Sequence, residues 1–239
     1  MPVRPATWAD LKPASRIAAL AFWEDELHGA RLHPHRSRHP KSFERFFLHD
    51  LRESYFDAGT HVWISHPEHH PEEVTGMAVW MRTGDGGKRL QARQSWLRWL
   101  MSRLILPVYN KIDLLVHPNN AADAAGWRDM ENSFPFMEQY FGKPGYDETW
   151  DLVLLFQAPQ YQGCGYGREL VRWGLDRAKE EGIRVSLVST KGAEGFYIKL
   201  GIDEHVGNAS DGGEKNPFHD LSGGKILFSK KFDKAVEEV

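Results

Sequence analysis

A single cysteine, Cys164, stands in a chain of 239 residues, so no intramolecular disulfide can form. A disulfide-stapled secreted scaffold is thereby excluded. No window approaches the roughly 18 uncharged apolar residues of a membrane-spanning helix, and none is expected. Met1 to Asp10 lack the apolar core of a signal peptide. The expectation is a cytoplasmic protein, with a nuclear location left open. Neither sign of charge dominates: 30 Lys and Arg face 33 Asp and Glu, a formal charge of −3. A general nucleic-acid binder would show a basic excess, so that partner is not expected. Internal repeats and long low-complexity tracts are also missing.

The hydrophobic share, 41%, is ample for a buried core, and 9 Trp and 13 Phe supply much of its area. Val3 to Ala6 read as a short first strand, followed by a helix through Ile17, Leu20, Ala21 and Phe22. Residues 28–42 are rich in His and Arg, and Pro34 and Pro40 predict a loop there. Phe43, Phe46, Phe47 and Leu51 recur at helical spacing up to Tyr55. His61–Ser65 and Val74–Met81 form the arms of a predicted antiparallel hairpin, and Gly84–Gly87 read as a turn ending the second arm. Residues of about 88–148 are predicted to be a helical insertion in a single domain. Within it, Trp96, Leu97, Trp99, Leu100, Leu104 and Ile105 are spaced to pack as a lid or as core.

The last third is the clearest. Trp150–Phe156 form an apolar strand. A glycine-rich segment follows, and a helix runs from about Tyr166 to Glu181, stopped by Gly182. Ile183–Val188 alternate as a strand, Glu194–Leu200 form a short helix ending at Gly201, and Lys225–Ser229 form a final strand. This order is an α/β unit with a right-handed parallel crossover.

The segment Gln162-Gly163-Cys164-Gly165-Tyr166-Gly167 places glycine at every second position between a strand and a helix N-terminus. Backbone amides and the positive end of the helix dipole suit a phosphate there. A P-loop is excluded because no Lys-Ser or Lys-Thr follows. A dinucleotide fingerprint starting at Gly163 fails at Arg168. A plain strand-to-helix turn is the other reading.

The pattern Gln-x-x-Gly-x-Gly, met by Gln162, Gly165 and Gly167, resembles the acyl-CoA pyrophosphate loop of the GNAT N-acetyltransferase superfamily. Leu154–Tyr161 resemble the strand and turn before that loop, and Gly195–Gly201 resemble the Tyr-x-x-x-Gly segment after it. The resemblance implies a GNAT-like acyl-CoA N-acyltransferase fold: an α/β, partly antiparallel mixed sheet splayed between two central parallel strands. It implies acetyl-CoA as co-substrate, no metal, and direct acetyl transfer to a small-molecule or peptide amine. A non-catalytic acyl-CoA-binding domain is the alternative, and a homodimer is compatible with it.

By residue-by-residue carry-over, the resemblance implies that backbone groups of Leu155, Phe156 and Gln157 meet the pantetheine arm and the thioester carbonyl. Amides of Gln162, Gly163, Cys164, Gly165, Tyr166, Gly167 and Arg168 would hold the diphosphate, with Arg168 and Arg172 adding charge. Thr190 would contact the cofactor, and Tyr197 would be the general acid. Asp151 is the first candidate for general base, because strict alternation puts it on one face with Val153, Leu155 and Gln157. Glu24, Asp25 and His28 are alternatives. His66, His69 and His70 lie in a proline-containing linker without helical spacing, so no metal site is expected there. Cys164 has no adjacent base and is not read as a nucleophile.

Overall fold

A computed structural model describes residues 2–233. Seven strands form one sheet in the order β1-β2-β3-β4-β5-β7-β6. They are β1 (Val3–Pro5), β2 (Thr60–Ser65), β3 (Gly76–Arg82), β4 (Thr149–Gln157), β5 (Arg184–Ser189), β6 (Glu204–Asn208) and β7 (Lys225–Phe228). Only β4 and β5 are parallel; every other neighbour pair is antiparallel. The expected mixed α/β sheet is therefore present.

Helices α1 (Leu11–Ala21) and α2 (Pro40–Phe56) cover one face. Phe22, Phe43, Phe47 and Leu51 pack there on Val62, Ile64, Met77, Val79, Leu154 and Phe156. The opposite face carries α7 (Tyr166–Glu181) and α8 (Glu194–Ile198), where Leu170, Val171 and Tyr197 meet Trp80, Trp150, Leu152, Val185 and Leu187. On α7, Gly174 lies so close to Trp80 that a Cβ would come within 2.3 Å of the indole. The Trp80 Nε1 donates to the Leu170 carbonyl at 3.2 Å, fixing helix to sheet at the same point.

Four local expectations are corrected. The predicted loop at 28–42 is partly helical: a π-helical turn spans Glu26–Leu32, capped by Asp25. Pro40 starts α2 instead of ending a loop, because proline lacks the amide that the first turn leaves unpaired anyway. Gly84–Gly87 open a helix, α3 (Gly84–Ala92), whose Asp85 and Gly86 amides are capped by the Glu148 carboxylate. Strand β6 was missed within a Gly-, Asn- and Asp-rich stretch whose polarity masks any alternation.

Helices fill the stretch between β3 and β4. Beyond α3 it holds α4 (Trp96–Leu100), a π-helical turn (Met101–Ile105), α5 (Leu106–Val116) and α6 (Ala124–Phe141). Arg98 anchors α4 by donating to the Tyr55, Phe56 and Asp57 carbonyls at the end of α2. Helix α6 bridges the α1–α2 face, from Trp127 against Phe46 to Phe141 against Phe228 on β7. Core packing of the first stretch is not observed: Trp96 is 75% exposed, and Leu97, Trp99, Leu104 and Ile105 are exposed too. Helical spacing puts apolar side chains on one face without supplying a surface to cover it.

Candidate active site

Strands β4 and β5 pair only from Thr149 with Arg184 to Leu152 with Leu187. Beyond that point β4 continues to Gln157 on β3, while Val188 and Ser189 of β5 stay with β7. The two parallel strands thus diverge, and residues 153–157 have no strand neighbour on the β5 side. A β-bulge marks the divergence: Val79 pairs with Leu154 and Trp80 with Leu152, leaving Val153 unpaired and half-exposed.

That bulge overturns the strict alternation expected of β4. Trp150, Leu152 and Leu155 face α7, whereas Leu154 and Phe156 face α1 and α2. Asp151, between Trp150 and Leu152, points toward the α1–α2 face and does not share one with Leu155. Its carboxylate accepts from the Ser186 Oγ at 2.6 Å, and the Thr149 Oγ1 lies 2.8 Å from that hydroxyl. Burial pushes the Asp151 carboxyl up to about 6, against the lowering effect of the Ser186 bond. Near neutral pH it is an ionised carboxylate, more basic than an ordinary aspartate.

The chain leaves β4 through a short turn, Pro159–Tyr161, and enters α7 at Gly165. Gly163 and Gly165 hold φ of +76° and +86°, a region that side chains make costly. The expectation that all seven amides from Gln162 to Arg168 are available is corrected. Gln162 donates to Pro159, Cys164 to Tyr161 and Arg168 to Gly165, closing the turn upon itself. The amides of Gly163, Gly165, Tyr166 and Gly167 donate to no acceptor among the described residues. They lie at the positive end of the 16-residue α7. A Cβ at Gly163 would meet nothing within 4 Å, so the loop is open on that side. Arg168 is exposed on the first turn, while Arg172 is engaged by Glu169 at 2.8 Å.

Tyr197 comes from α8 and is 9% exposed. Its hydroxyl bonds to no described residue, and burial raises its pKa. Beside it, Phe196 lies 3.6 Å from where a Gly167 Cβ would stand, which brings α8 against the start of α7. Thr190 is exposed just beyond β5. The Gln157 side chain turns away from the gap between the strands: its Nε2 donates to the Thr75 carbonyl at 2.7 Å and to the Ser65 Oγ at 3.3 Å. Only its backbone remains available to a ligand in the gap.

The alternative bases fare differently. The Asp25 carboxylate accepts from the Leu27 and His28 amides and lies 3.0 Å from the His28 ring. Burial pushes its carboxyl up, but the His28 and Leu27 bonds outweigh that and hold it below the usual range. It caps the π-helical turn. Glu24 is almost fully exposed beside Arg36. His66 is buried against the Pro67 carbonyl, and no metal-binding group of His, Cys, Asp or Glu occurs among the described residues.

Sequence reasoning missed the Val153 bulge, the Ser186 support of Asp151, and Asp50. Asp50 follows Phe46 and Phe47 by one turn, an acid on an otherwise apolar stripe, and that break in the pattern was readable. Asp50 is exposed, yet the protein crowded around its carboxyl pushes that group up to about 6; the charge of His28 opposes this and that of Glu53 adds to it.

Residues 137–202 match the family model described as "Acetyltransferase (GNAT) family", a span running from α6 through α8. No curated protein sequence matches the chain. Among solved structures, "histone acetyltransferase HPA2 and related acetyltransferase" from Corynebacterium glutamicum is similar at 16% identity, covering 98% of both chains with a TM-score of 0.55. A mosquito "arylalkylamine N-Acetyltransferase like 5b" matches at 14% identity over 95% of this chain and 98% of its own, TM-score 0.50. An N-acetyltransferase from Staphylococcus aureus Mu50 matches at 13% over 95% and 98%, TM-score 0.50. No helix among the described residues is long and apolar enough to cross a membrane.

Proposed function

The chain has the GNAT acetyltransferase fold, and on that premise we propose that it is an acyl-CoA-dependent N-acyltransferase, moving an acetyl group directly from acetyl-CoA to an amine. The observation that carries this reading is the conjunction of two unpaired backbone surfaces. Four free amides sit at the start of α7, and β4 beyond Leu152 lacks a neighbour where β5 diverges. An anion fits the first and an extended amide-bearing chain fits the second. Diphosphate and pantetheine have those two chemistries. The thioester supplies an activated acyl carbon.

The residues divide the work accordingly. Gly163, Gly165, Tyr166 and Gly167 hold the diphosphate with main-chain N–H groups, and Arg168 adds charge at the rim. Main-chain groups of Leu155, Phe156 and Gln157 align the pantetheine arm like a strand, and Thr190 adds a hydroxyl from the opposite wall. Asp151 accepts the proton of the attacking amine, directly or through water. Its raised carboxyl makes it a stronger acceptor than an ordinary aspartate, and the hydroxyls of Ser186 and Thr149 fix its orientation. Tyr197 remains protonated throughout the physiological range because burial raises its pKa. It therefore acts as hydrogen-bond donor to the departing sulfur, and complete transfer from so weak an acid would run uphill.

Calorimetry with acetyl-CoA, combined with thiol release on a panel of amines, tests the proposal. Micromolar binding with turnover on at least one amine is expected. Binding without turnover on every amine favours the non-catalytic alternative, and no binding overturns both.

A further inference from the structure

A pocket of about 460 Å³ lies between α2, α5 and the chain entering α6. Phe46, Leu114 and Trp127 give it apolar and aromatic walls. Arg45, His49 and His117 all converge on Asp113, at 3.5, 2.7 and 3.1 Å. Asp50 and Glu53, both solvent-exposed, lie one turn apart on α2 and pair with no cation among the described residues. Glu53 accepts only from the Asn110 Nδ2, at 2.7 Å.

Two amides with buried oxygens complete the wall, and their orientations are fixed by their neighbours. Asn110, 5% exposed, gives its NH2 to Glu53, which leaves its Oδ1 without a partner. His33 is fully buried, and desolvation drives its imidazole down to about 4, so it is neutral. Its Nδ1 lies 2.8 Å from the His28 carbonyl and must donate to it, so its Nε2 accepts. The Asn119 Nδ2, 3.2 Å away, is the donor to that nitrogen, and the Asn119 Oδ1 is left buried and unpartnered. The pocket thus offers two unmatched carboxylates and two unused amide oxygens beside aromatic rings. The two amide oxygens are buried without a partner, a state that native folds rarely leave.

We infer that this pocket binds an organic ammonium group on an apolar, ring-bearing body. Its wall offers what such a group needs: negative charge, hydrogen-bond acceptors and a π-surface. The two carboxylates stabilise the charged amine over the neutral one. An amine held there stays protonated and is no nucleophile. On the acyl-transfer reading, on which this step alone rests, the reacting nitrogen is a different one, and the acceptor class is a diamine with an apolar or aromatic spacer.

The full chain is titrated without acetyl-CoA against 1,4-bis(aminomethyl)benzene and against its neutral isostere 1,4-benzenedimethanol. The diamine is expected to bind at least tenfold more tightly than the diol. Asp50→Asn is expected to weaken the diamine at least tenfold while melting no lower than the parent without ligand. Equal binding of diamine and diol overturns the inference. So does unchanged diamine affinity in both Asp50→Asn and Glu53→Gln, and so does an Asp50→Asn variant that melts several degrees lower, which would make the carboxylate a part of the fold. The same preparation is titrated with acetyl-CoA. A chain that binds acetyl-CoA but not the diamine refutes the pocket alone, whereas one that binds the diamine but not acetyl-CoA refutes the transferase reading alone.

Discussion

The β4–α7–β5 unit and the insertion that precedes it are both rich in large apolar side chains, yet they use them oppositely. In the first, Trp150, Leu152, Leu170, Val171 and Leu187 disappear between helix and sheet. In the second, Trp96, Val108, Ile112, Leu115 and Val116 remain exposed, Leu115 at 78%. The difference lies in what each helix has opposite it. Helix α7 lies along a sheet; α4 and α5 touch the end and flank of α2 by polar contacts, Arg98 to its last carbonyls and Asn110 to Glu53. Periodicity in a sequence identifies a face, and the partner of that face has to come from the topology.

The largest effect that would sharpen this contrast is expected at the loop. Gly165→Asp places a side chain at φ +86° and a like charge beside the diphosphate. It is expected to weaken acetyl-CoA at least 100-fold by calorimetry with the circular dichroism unchanged; retained affinity would refute the loop assignment. Next, Asp151→Asn is expected to lower turnover 10²–10³-fold, in the range of a lost general base. The parent's rate is expected to rise with pH through about 6, and the variant to lack that limb.

Stability carries the opposite sign at the same residue. The Asp151 carboxyl titrates higher in the folded chain than the unfolded value of about 3.9. Between about pH 4 and 6 the folded chain keeps a proton that the unfolded chain has released, so this group's contribution falls as pH rises across that window. Asp151→Asn is therefore expected to melt no lower than the parent at pH 8, and a clear loss there would show that the carboxylate serves the fold. A smaller effect, about tenfold on kcat with KM unchanged, is expected for Tyr197→Phe; equal kcat removes its donor role. Smallest of all, Leu115→Ser in the insertion is expected to change stability within about 0.5 kcal/mol, as at other exposed positions. A shift above 2 kcal/mol in urea melts would mean that this face is covered in solution, and the contrast would break.

The unit from Trp150 to Gly201 was legible because its signals are local. Gly165 and Gly182 bound α7, apolar runs give β4 and β5, and Gln162–Gly167 form a continuous motif. What was not legible depends on pairing across the chain. The bulge at Val153 comes from register with Val79 and Trp80, and it reversed the facing inferred for Asp151. Which loop amides are free depends on turn bonds that composition does not reveal. The loop expected at 28–42 is not what forms, because Pro40, a breaker in a helix interior, is a starter at the first position of α2.

Gly174 lies about two turns into α7, with the Trp80 indole where its side chain would be. That contact helps to set the height of the helix above the sheet, and the helix carries the loop amides at its N-terminus. A methyl group added at Gly174 would act as a wedge under a lever: affinity for an anion would change at a residue well outside the loop, with every group in the loop chemically intact.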